Sequence, residues 1–129
     1  MKSIAEKWVD IANYDLATAK ARFETGRYLY VAFMCQQAVE KILKAIIVQK
    51  TDIYPPKVHK LEFLANKAGL DTEFNENQKN LLTELNFYYL NNRYPDFKVE
   101  LSKIISKEKS LSLLNQTEDF LKWIKQKIK

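Results

Sequence analysis

The chain has little of what punctuates a backbone or grips a metal: two glycines, three prolines, one cysteine and one histidine in 129 residues. There is no Gly-rich phosphate loop, and a single cysteine allows neither an intrachain disulfide nor a paired-Cys metal site. One histidine leaves no His-x-x-x-His pair, so a zinc enzyme is not expected and no metal or other cofactor is called for. A Ser or Cys triad could draw only on His59, and nothing in the sequence sets a nucleophile beside it. No apolar run approaches the ~18 residues of a membrane span, and MKSIAEKWVD lacks the continuous apolar stretch of a signal peptide. No membrane association and a cytoplasmic address are therefore expected. Strand alternation between hairpin turns, internal repeats and low-complexity runs are also missing.

What is present reads as helix. The length suits one domain with one core, over residues 1–129. The stretch Tyr28–Lys50 has no Gly or Pro, and Val31, Cys35, Ala38, Ile42, Ala45 and Gln49 recur at helical spacing. A second apolar line, Ala32, Val39, Leu43 and Ile46, widens that face, so this helix is the expected central rod of a bundle. Cys35 lies on the apolar line and reads as a small buried hydrophobe. Ser3 and Glu6 have capping-box spacing, and Trp8, Ile11, Ala12, Asp15, Ala19 and Phe23 trace the inward stripe of a first helix ending near Gly26. Asp15 either finds a partner or sits at the stripe's edge in water.

Pro55 and Pro56 mark a loop over 51–57, and a short helix over Val58–Ala68 would carry His59 in its first turn and close at Gly69. Asn75 and Gln78 repeat the capping-box spacing before Leu81, Leu82, Leu85, Tyr88 and Tyr89, and Pro95 predicts an end near Asn92. The pattern over 96–106 is weak and leaves its conformation open, although Leu101, Ile104 and Ile105 could pack down. Leu114, Thr117, Leu121, Ile124 and Ile128 define a last long helix, with Glu118 and Lys122 as an exposed pair. The expected fold is all-α: an up-and-down helical bundle of about four main helices plus one short helix.

The formal charge of +5, with a pI near 9.2, modestly favours anionic partners without establishing nucleic-acid binding. Two local groups could carry chemistry. Gln37, Glu40, Lys41 and Lys44 form a polar stripe whose expected role is an ordinary solvated face with an i,i+4 ion pair. Asn91–Asp96 sets Arg93 beside Tyr94 and the rigid Pro95. The guanidinium could grip phosphate there, although a helix stop explains the local sequence slightly better.

Taken together, Ala12-x-x-Asp15, the run Ala32, Gln36, Gln37, Ala38, Val39, Glu40, Lys41, Lys44 and Ala45, the segment with His59, Leu61 and Leu64, and the late Arg93-Tyr94-Pro95-Asp96 resemble the HEPN domain family over most of the chain. The resemblance implies an all-helical bundle that commonly dimerises. Small prokaryotic members are often encoded beside, and bind, a minimal nucleotidyltransferase in toxin–antitoxin pairs. It therefore implies a non-catalytic module binding a nucleotide or that nucleotidyltransferase, as one half of such a pair, with Lys41, Lys44, His59 and Arg93 as the anion contacts. A homodimer is also expected, because the central helix has so wide an apolar face and because Tyr88 and Tyr89 cannot both point inward.

Many members of the family are ribonucleases with an Arg followed, after four to six residues, by a His. This chain departs from that pattern: Lys98, Val99 and Glu100 stand at the corresponding places after Arg93, and Asp52, Ile53 and Tyr54 stand ahead of His59. A metal-independent ribonuclease acting on RNA is therefore the alternative. Arg93 would stabilise the phosphate, with His59 or Tyr94 as proton carrier.

Overall fold

In the computed structural model, which describes residues 2–91 and 94–128, Ser3 and Glu6 bond reciprocally across the first turn of α1 (Ile4–Glu24). Gly26 follows its end at φ 75°, and the Arg27 N–H turns back to the Arg22 carbonyl at 2.9 Å, so the chain reverses within three residues. α2 (Tyr28–Thr51) then runs back along α1 and closes at Asp52, whose φ of 56° is a left-handed geometry that Asp tolerates. Both apolar lines of α2 are buried, and it touches every other helix. Its breadth is thus filled from within the chain. Ala12 and Ala19 of α1 have no exposed surface, and their small side chains let the two backbones approach closely. Ile11 was expected on that inward line but is 42% exposed, because the buried line runs through Ala5, Ala12, Leu16 and Ala19.

The short helix α3 (Leu61–Lys67) starts later than expected, which leaves His59 ahead of it and not in its first turn. The reason is tertiary: the His59 carbonyl accepts from Gln36 Nε2 of α2 at 3.0 Å, and Lys60 is extended, so the segment is held straight across α2 until Leu61. α4 (Glu76–Asn91) opens on the reciprocal Asn75–Gln78 cap, with bonds of 2.9 and 2.8 Å. The segment left open by the sequence forms α5 (Pro95–Ile104), with Pro95 in its first turn, where a missing N–H costs nothing. Leu101 and Ile105 pack down, whereas Ile104 is 71% exposed.

Ser106 caps α6 (Lys107–Lys125) through a 2.9 Å bond from the Lys109 N–H, and Phe120, Leu121 and Ile124 carry this helix into the core. Glu118 is engaged by Lys20 of α1 at 2.7 Å, so the pair it forms ties two helices together. Among the described residues, four long helices and two short ones make an all-helical bundle without a strand.

Candidate functional site

The polar stripe of α2 is not a solvated face. Glu40 is 1% exposed and Lys44 6%, because Trp8 and Asp15 of α1 cover the stripe from one side and the segment before α3 covers it from the other. Glu40 is the hub. Its Oε2 takes Lys44 Nζ at 3.0 Å and lies 3.7 Å from Lys41 Nζ; its Oε1 meets His59 Nδ1 at 3.0 Å and accepts from Gln36 Nε2 at 3.3 Å. Lys41 also donates to Gln37 at 3.0 Å and reaches Asp15 at 3.9 Å, which settles the open question of Asp15 in favour of a partner. Lys44 stands 5.6 Å above the Trp8 ring, and that ring meets Tyr54 edge-on at 6.0 Å.

Burial alone would push the Glu40 carboxyl up. The Lys44 hydrogen bond, the Lys41 and Lys44 charges and the bond to His59 together outweigh it and hold the group below its ordinary value. Asp15 goes the other way: burial raises it, only partly opposed by Lys41, and Glu40 adds a like charge. Burial also pushes the Cys35 thiol up to about 12, in keeping with a structural cysteine.

Lys41, Lys44 and His59 lie together around a carboxylate. A phosphate would have to compete with Glu40 for either lysine. Of the three, only His59 opens to solvent, with 53% of its side chain exposed. Its ring packs against Tyr89 at 5.5 Å between centroids, and Tyr89 in turn stacks on Phe33 at 5.5 Å. His59 stands at the mouth of a cleft of about 410 Å³ between the start of α3 and the second half of α4. Phe87 and Leu90 form its apolar wall, and Glu62, Asn86 and Thr83 supply polar groups. Arg93 lies outside the described residues. Tyr94, 61% exposed, precedes α5 and makes an edge contact with Phe97 at 6.3 Å.

Neither the organising role of Glu40 nor that of Gln36, nor the cleft, is evident from helical periodicity. One signal was available: Gln36 and Glu40 interrupt otherwise apolar surroundings on the most buried helix, where an unpartnered polar group would be costly.

The HEPN domain family model matches residues 5–128. The chain belongs to the HEPN family. The crystal structure of TT1696 from Thermus thermophilus is similar to this HEPN chain with a TM-score of 0.82 at 22% identity, over 96% of this chain and 98% of that one. At that identity the likeness shows the shared helical fold. Among curated proteins none matches this HEPN chain. No described helix is long and apolar enough to cross a membrane.

Proposed function

We propose that this HEPN chain is a non-catalytic binding module that engages a nucleotide or a minimal nucleotidyltransferase, as one half of a toxin–antitoxin type pair, and that it works as a homodimer in the cytoplasm. The observation carrying this reading is His59: a half-exposed imidazole backed by a buried, ionised carboxylate at the mouth of an open cleft. Such a group is held in place by the core and offered to a ligand. Lys41 and Lys44 contribute by fixing Glu40, and Arg93 completes the anion contacts. Calorimetry with ATP and other nucleotides, alone and with the product of the neighbouring gene, tests it. Micromolar binding to either is expected; no heat with both leaves a purely structural module.

The Glu40–His59 pair also favours a second reading. A carboxylate that orients an imidazole is the arrangement a general base needs, so a metal-independent ribonuclease using His59, Tyr94 and Arg93 is the alternative. Cleavage of total RNA that disappears in both His59→Ala and Arg93→Ala, with helicity retained, would replace the binding reading by this one.

A further inference from the structure

The cleft beside His59 has a definite hydrogen-bonding polarity, which follows from Glu40. Its carboxylate sits in the core with two lysines near one oxygen, so it is ionised and can only accept. The 3.0 Å contact with His59 therefore places the proton on Nδ1, and Nε2 of the neutral ring is left as the acceptor. Gln36 holds the His59 carbonyl and Tyr89 packs on the ring, which limits rotation of the imidazole away from this pose. Among the described residues Nε2 has no hydrogen-bond partner.

Most of the other polar groups are engaged within the chain: Asn86 accepts from the Leu61 N–H and gives one amide N–H to Glu62, and Thr83 donates its hydroxyl to the Lys79 carbonyl. Acceptors remain on His59 and Glu62, which line the cleft together with the apolar Phe87 and Leu90. A ligand that satisfies such a site is planar and aromatic and directs N–H donors at the imidazole and the carboxylate. A bare anion would meet Glu62 unfavourably, and among the described residues lining the cleft Lys60 is the cation that suits a phosphate.

We infer that the α3–α4 cleft is a nucleobase site that selects bases with an exocyclic amino group, read by His59 Nε2 and Glu62, with Glu40 as the positioning residue that fixes the His59 tautomer. The inference rests on the nucleotide-binding reading above and specifies where and by what part the nucleotide is held.

The test uses adenosine and inosine monophosphates, which differ in whether the six-position carries an amino donor or an oxygen acceptor. Calorimetry at pH 8 is expected to show the adenosine compound binding about tenfold or more tightly, since the inosine oxygen would face acceptors. Leu90→Arg, at a rim position 55% exposed, fills the cleft with competing donors and should abolish binding without disturbing the core. Nitrogen NMR of the imidazole at the same pH should show Nδ1 protonated in the parent and mixed tautomers in Glu40→Gln, with the Nε2 signal moving on titration with the adenosine compound. Equal affinity for the two compounds, or binding untouched by Leu90→Arg, or an Nε2-protonated ring in the parent, overturns the cleft assignment while nucleotide binding itself stands. If neither monophosphate nor ATP binds, the nucleotide reading fails and takes this inference with it.

Discussion

The Glu40 carboxylate gathers Lys41, Lys44, His59 and Gln36 at one buried point. Removing it as Glu40→Ala leaves Lys44 buried without a counter-charge, a change that costs about 3 kcal/mol or more, so a clear loss of stability in urea titrations is expected. The pH dependence separates it from Asp15. The Glu40 carboxyl, facing Lys41, Lys44 and His59, is lowered on folding, so its contribution is complete above its unfolded value of 4.5 and is lost as the pH falls through the lower folded value. Asp15 is raised on folding, so it costs stability at neutral pH, and the cost disappears as the pH falls through its folded value towards 3.8. Asp15→Asn should therefore raise the melting temperature at pH 7, with the gain shrinking in acid, whereas Glu40→Ala lowers it and flattens the acid side of the profile. Opposite signs for two carboxylates on one cluster are the expected signature. Two substitutions that both destabilise at pH 7 would show that Asp15 is a net contributor through Lys41.

At the scale of the helices, most starts and stops were legible because they are local. Ser3–Glu6 and Asn75–Gln78 cap as their spacing predicts, and Gly26 and Gly69 both take the left-handed geometry expected after a helix end. What was not legible depends on distant partners. The start of α3 is displaced by a bond from Gln36, twenty-three residues earlier, and the stripe on α2 looks solvated until Trp8 and Asp15 of another helix are laid over it. An i,i+4 Glu–Lys pair has the same sequence whether it faces water or protein. Ser106 is a third case: nothing in the weak pattern around it distinguished a cap, yet its hydroxyl accepts from Lys109 N–H and starts the helix that carries Phe120 and Ile124 into the core. Ser106→Ala should cost about 1 kcal/mol in equilibrium urea unfolding, with an unchanged dependence on urea concentration. A loss below the error of that measurement would mean that packing alone fixes the start of α6.

For the whole molecule, the structure changes where a homodimer would have to form. The wide face of α2 is covered by the chain's own helices, and Tyr88 is buried while Tyr89 packs on Phe33 and His59, so neither of the features that suggested a dimer supplies free surface. α5 does. Tyr94, Phe97, Leu101 and Ile104 follow one another at spacings of three and four from its N-cap onward, yet only Leu101 is buried; the others are 61%, 56% and 71% exposed. A helix whose apolar stripe is covered at one position and open at the rest is half-docked, so the uncovered side chains of α5 are the surface a second copy would meet. A two-fold related copy would cover the same patch on both subunits at once, and a stable contact needs about 800 Å² from each. Light scattering at tens of micromolar should therefore give a dimer. Ile104→Asp should shift it to monomer with its helicity kept, because that side chain supports little within its own subunit. A parent that is strictly monomeric at those concentrations removes the dimer. A dimer indifferent to Ile104→Asp places the interface on a face other than α5.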